Sequence, residues 1–108
     1  MQLFFWKKNK QIDEFANAIA NDLYSTIPPD IALEFMNESD SKSKKVNTKV
    51  ARKLDDIVLR IKQFRAENSI GVYGKARLHL KFTERLEELG YEKKVAGLFN
   101  EKIMIRTP

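Results

Sequence analysis

The sequence holds no cysteine, one histidine, one tryptophan, three prolines and four glycines in 108 residues. Without cysteine there is no disulfide framework, no thiolate zinc site and no cysteine nucleophile. Long hydrophobic runs are missing too; nothing approaches the ~18–20 apolar residues that a bilayer crossing needs. The one dense apolar cluster, Leu3-Phe4-Phe5-Trp6, is short, and Lys7, Lys8 and Lys10 follow it. A secretory leader carries its basic residues ahead of the apolar stretch. These absences point to a cytoplasmic protein.

Catalytic material is equally thin. His79 stands alone. Asp13-Glu14, Asp55-Asp56 and Glu87-Glu88 are neighbours in sequence. On a helix such side chains diverge by about 100° and cannot share a metal or a proton. No nucleophile elbow, metal-ligand spacing or phosphate-loop motif occurs. The expectation is a protein that is not an enzyme, with no cofactor, no metal and no small-molecule substrate.

What is present is an ordinary globular composition, 43% hydrophobic and 32% charged, long enough for one domain with one core. The net charge of +5 is unevenly spread. Residues 1–41 carry three basic and seven acidic side chains, residues 42–81 twelve basic and three acidic, and residues 82–108 five of each. A basic middle suits nucleic acid, an acidic protein or anionic lipid. It suits equally an acidic first part that folds onto it.

The strongest periodic signal is Val46, Val50, Leu54, Ile57, Val58, Ile61 and Phe64, spaced by three or four residues. That spacing predicts a helix of about residues 47–66 with one apolar stripe, and Thr48 as its N-cap. Its other side carries Lys49, Arg52, Lys53, Arg60, Lys62 and Arg65. Ile12, Phe15, Ala16, Ile19, Leu23 and Ile27 predict a second helix, with Asn9 as its cap. It ends at Pro28-Pro29, where Pro29 can open a short new helix through Ile31, Ala32, Phe35 and Met36. Asp22, Asp30, Glu34 and Glu38 are expected to face solvent. Residues 38–46, rich in serine and lysine, read as a flexible polar linker.

Beyond Phe64 the pattern is broken at 67–74. Residues 76–82 alternate like a strand, yet Leu78, Phe82, Leu86 and Leu89 share a helical face, and 83–89 are strong helix formers. Gly90 stops that helix. Tyr91, Val95, Leu98, Phe99 and Ile103 predict a last one. The fold class is therefore all-α, a single-domain bundle of four or five helices over residues 1–108. A minority reading is α+β, with residues 76–82 and 102–106 paired as two short strands.

Gly71-Val72-Tyr73-Gly74-Lys75, between two helices, resembles the Gly-x-x-Gly turn of KH-type nucleic-acid modules, which clamps a nucleotide backbone. KH turns usually carry a basic residue or glycine at the two central positions, where this chain has Val72 and Tyr73. The preferred reading is a tight connection whose glycines take positive φ while Val72 and Tyr73 enter the core. Leu86 to Phe99 also resembles a helix-turn-helix, but bulky Leu86 and a second helix with only Lys93 and Lys94 early make a poor groove reader. A capped helical hairpin explains the same residues.

Two sets of residues are candidate contact sites. Leu3, Phe4, Phe5 and Trp6 form an apolar start that plugs the core, meets a partner or anchors on an anionic membrane surface. Lys44, Lys45, Lys49, Arg52, Lys53, Lys75 and Arg77 form a candidate anion or nucleic-acid contact. The leading functional reading is a non-catalytic helical interaction module, an adaptor or regulatory protein that binds a protein partner or a second copy of itself. Nucleic-acid binding through the basic flank of residues 42–81 is the alternative, and peripheral membrane attachment through residues 3–10 a further one.

Overall fold

The computed structural model describes the backbone of residues 2–37 and 44–108, and the side chains of residues 7–36 and 45–108. Within them lie five helices and no strand: α1 (Gln2–Thr26), α2 (Pro29–Asn37), α3 (Lys44–Glu67), α4 (Val72–Glu88) and α5 (Lys93–Arg106). The all-α reading holds. The strand alternative fails at both segments, because 76–82 lies inside α4 and 102–106 inside α5. As a helix, α4 buries Leu78, Phe82 and Leu86 together and leaves Leu80 outside. Strand pairing would bury Leu80 but give up Leu86. Leu78 and Phe82 are buried on either reading, so the exchange of Leu80 for Leu86 is about even in apolar burial, and the strong helix formers of 83–89 decide for the helix.

Two caps are not where periodicity puts them. Asn9 and Thr48 lie inside α1 and α3, which start at Gln2 and Lys44. Nothing between Gln2 and Asn9, or between Lys44 and Thr48, breaks a helix, so those hydroxyl and amide groups have no free first turn to cap. The linker shortens accordingly. Lys44, Lys45 and Val46 are already helical, and residues 38–43 fall outside the described residues. Pro28-Pro29 behaves as its chemistry dictates, ending α1 and opening α2 at Pro29.

The layers follow from which stripes meet. α1 and α4 make the most extensive packing, and they run parallel, since Ile12 approaches Gly74, Asp13 meets Arg77 and Asn21 meets Arg85. α3 runs antiparallel to α1, with Phe15 stacked face to face on Phe64 at 4.1 Å. α5 folds back on α4 and crosses α3. Ile12, Ala16, Ile19 and Leu23 of α1, Val50, Leu54, Ile57 and Ile61 of α3, and Phe99 and Ile103 of α5 close one core with the α4 residues.

Both tight turns use the same end-of-helix geometry. At the end of α4 the Gly90 N–H donates to Glu87 O and the Tyr91 N–H to Leu86 O, while Gly90 takes φ +107°. This is the hydrogen-bond pair that satisfies orphan carbonyls with a left-handed residue after the last turn. At the end of α3 the Ile70 N–H donates to Arg65 O, and the left-handed residue is Ser69, at φ 52°. Serine has a Cβ that this conformation strains. Ser69→Gly is therefore expected to stabilise the protein by roughly 0.5–1 kcal/mol, after the larger unfolded-state entropy of glycine is set against the relieved strain. A raised urea midpoint with unchanged slope checks it.

Candidate functional site

The seven basic residues are not one patch. Lys45, Lys49 and Arg52 lie exposed along the first half of α3, and the side chain of Lys44 falls outside the described residues. Together with Thr26, Thr48, Lys53 and Asp56 these three line a hollow of about 550 Å3 beside the end of α1. Lys75 sits on α4, beyond the other end of α3. Lys75 and Arg65 both act on His79, and Lys49 is sixteen residues from Arg65 on α3, about 24 Å along its axis, so Lys75 lies well apart from the Lys49 group.

Two of the seven are engaged inside the protein. Lys53 Nζ contacts Asp22 Oδ2 at 2.5 Å, and Arg60 Nη1 reaches the same oxygen at 2.7 Å. Asp22, expected in solvent, is half-buried between them. The hydrogen bond from Lys53 and the charges of Lys53 and Arg60 hold its carboxyl below the usual carboxylate range, against the opposing effect of burial. Arg77 makes a two-pronged pair with Asp13, both contacts at 2.8 Å, which raises its affinity for the proton. The acidic first helix thus covers part of the basic middle. Asp55 and Asp56 diverge as their adjacency requires: Asp56 lies 3.5 Å from Lys53, whereas Asp55 crosses to Arg106 at 2.6 Å.

His79 is buried, at 5% exposure. Its Nδ1 donates to Asn100 Oδ1 at 2.9 Å, while Asn100 Nδ2 donates to Met104 Sδ. His79 Nε2 and the neighbouring Arg65 Nε are buried without a hydrogen-bond partner among the described residues. Burial lowers the proton affinity of His79, and the charges of Lys75 and Arg65 push the same way, while the Asn100 bond opposes them. The unfolded chain, with its histidine near 6.5, binds the proton first on acidification. The stability supplied by neutral His79 is complete above that value and is lost as pH falls below it toward the lower folded-state value. Because the chain has one histidine, the urea midpoint is expected to drop between pH 7 and pH 5. His79→Gln is expected to flatten that slope.

The Gly-x-x-Gly stretch departs most from its expected structure. Gly71 precedes α4 at φ −89°, and Gly74 is inside the helix, so neither takes positive φ. Val72 and Tyr73 are outside the core, at 88% and 58% exposure. Val72 is the most exposed large hydrophobic side chain among the described residues, and Lys8, Asn9, Ile12 and residues 69–74 line a hollow of about 310 Å3 beneath the start of α4. Leu3, Phe4, Phe5 and Trp6 belong to the first turns of α1; their side chains fall outside the described residues.

A second apolar surface lies toward the first half of α3. Phe35, Val50, Ala51 and Leu54 form the floor of a groove of about 320 Å3 between α2, α3 and α5. Asn47, Lys102 and the Asp55–Arg106 pair edge it, and Ile105, 72% exposed, stands on its rim. Periodicity pointed to neither Ile105 nor this groove, since its walls come from three helices and no local pattern joins them.

No protein-family model matches the chain, and no curated protein or solved structure matches it. No helix among the described residues is long and apolar enough to cross a membrane, and none of their histidine, aspartate and glutamate side chains gather into a group of three that could hold a metal ion.

Proposed function

We propose that this chain is a non-catalytic helical interaction module, an adaptor or regulatory protein of the cytoplasm that holds a protein partner. The observation that carries the reading is the groove between α2, α3 and α5, an apolar floor with isoleucine 105 standing exposed on its rim. A helix or strand of a partner laid there would cover Ile105 and the exposed edges of Ala51 and Phe35, while Lys102 and the Asp55–Arg106 pair supply a polar border. The non-catalytic part is supported by the sole histidine, buried and bound to Asn100 rather than open to a substrate.

A photo-crosslinker placed at Ile105 in the living cell tests it. One discrete adduct is expected, and its mass distinguishes a foreign chain from a second copy. If the yield does not exceed that of the same crosslinker at exposed Glu101, the groove is not an interface.

Nucleic-acid binding is a second reading, favoured by the hollow that Lys45, Lys49 and Arg52 share. With Lys53 and Arg77 paired to Asp22 and Asp13, it rests on three exposed cations of the described residues rather than seven. Binding of a random oligonucleotide should then weaken with salt at a log–log slope of about −3, or about −2 for a single strand.

A further inference from the structure

The end of the molecule opposite that groove carries apolar and cationic groups in a definite order. α1 and α4 run parallel, and the pairs Asp13–Arg77 and Asn21–Arg85 each join residues 64 apart. Val72 is thus level with Lys8, and the first six residues of α1, Gln2–Lys7, project about 9 Å past the start of α4. That projection holds Leu3, Phe4, Phe5 and Trp6 at consecutive positions, which at about 100° per residue occupy most of the helix circumference. Behind it, at one level, come Lys7 and Lys8 of α1 with exposed Val72 and Tyr73 of α4, and then Lys10 and Lys75.

From this arrangement we infer that the shared end of α1 and α4 seats on an anionic lipid surface. Three physical points choose that occupant. A helix apolar around its circumference needs an apolar medium on every side, which the boundary of a bilayer supplies and one protein face does not. Aromatic residues with a polar edge, such as Trp6 and Tyr73, favour the headgroup level. The third point is charge. A second copy packed end to end would set Lys7, Lys8, Lys10 and Lys75 against the same four residues, whereas anionic headgroups complement them.

The seat is independent of the groove at Ile105, so each can fail without the other. Flotation of the full chain tests it, with vesicles of phosphatidylcholine alone and of phosphatidylcholine with about one-third phosphatidylglycerol. Binding to the mixed vesicles only is expected, with a partition coefficient that falls about tenfold in Val72→Ser/Tyr73→Ser and by more in Lys7→Gln/Lys8→Gln/Lys10→Gln. Val72, Tyr73, Lys7 and Lys10 are exposed, Lys8 is half-buried with its Nζ donating to Ser69 O, and circular dichroism should show unchanged helix in both variants. Three results overturn the inference. One is no binding by folded wild type. Another is binding indifferent to Val72 and Tyr73, which would mean adsorption of a basic protein. The third is a wild-type solution mass of two chains that Val72→Ser/Tyr73→Ser reduces to one, which would make this end a contact between copies.

Discussion

Gly74→Val is expected to lower the unfolding free energy by about 2–3 kcal/mol, the usual cost of forcing methyl groups into a filled interior. A Cβ at position 74 would lie 2.6 Å from Ile70 Cγ2 and 3.2 Å from Ile12 Cδ1. The first distance is closer than carbon atoms tolerate, and the Ile70 methyl sits next to its own backbone, so it cannot swing away as the tip of a long chain would. α1 and α4 must separate, or Ile70 must change rotamer inside a turn held by its N–H to Arg65 O. Valine's better helix propensity than glycine's, under 1 kcal/mol, does not offset this. The check is a double-mutant cycle. Ile70→Ala alone leaves a cavity and costs stability, but it also removes the clash. Gly74→Val should therefore be at least about 1 kcal/mol less harmful in the Ile70→Ala background. Equal costs in both backgrounds would mean that Gly74 is not there for space.

Tyr91→Phe carries the next largest expected effect, a loss of about 1–3 kcal/mol with little change in core volume. The Tyr91 hydroxyl is buried and donates to the carbonyl oxygen of Ile27. Ile27 immediately precedes Pro28, so its carbonyl lies where α1 stops, among the orphan acceptors of a helix end. Burial also pushes the phenol well above its ordinary proton affinity, so it stays a donor throughout the usual pH range. The ring stands edge-on to both Tyr24 and Phe99, and phenylalanine keeps those contacts. Loss of stability thus reports the unsatisfied Ile27 carbonyl alone. Differential scanning calorimetry should show a drop of roughly 4–8 °C for each kcal/mol in a domain of this size. Faster hydrogen exchange at the first amides of α2 would place the loosening at the proline corner that Tyr91 ties to the α4–α5 turn.

Much of this architecture was legible residue by residue. Val50, Leu54, Ile57, Val58 and Ile61 are buried along one side of α3, and Ile12, Ala16, Ile19, Leu23 and Ile27 do the same around α1 and its end. Pro28, Pro29 and Gly90 punctuate the chain where their backbone chemistry requires. The failures have two causes. Asn9 and Thr48 are good caps by type, but a cap needs a break before it, and cooperative extension of α1 and α3 removed the break. Val72 and Tyr73 read as core residues because they are large and apolar. They sit outside it because Gly74, two residues on, is the position that α1 approaches.

The candidate sites were less legible than the fold. Charge counts located the basic middle of the chain, yet not that Asp22 and Asp13 would take Lys53 and Arg77 out of it. Nor could they separate Lys75 from Lys49. Ile105, on a last helix with no clean stripe, stands on the rim of a groove walled by α2 and the first half of α3.

What the sequence alone determined is the set of helices and their inner faces, because a 3.6-residue repeat and a proline or glycine act within a few residues of themselves. The tertiary structure decided which of the remaining groups face water: Lys45, Lys49 and Arg52 on the first half of α3, the apolar start of α4, and the groove at Ile105. Those choices depend on pairings such as Asp13 with Arg77 and Ile12 with Gly74, more than sixty residues apart. No local pattern encodes them, since packing energy belongs to the surfaces that meet and not to either one.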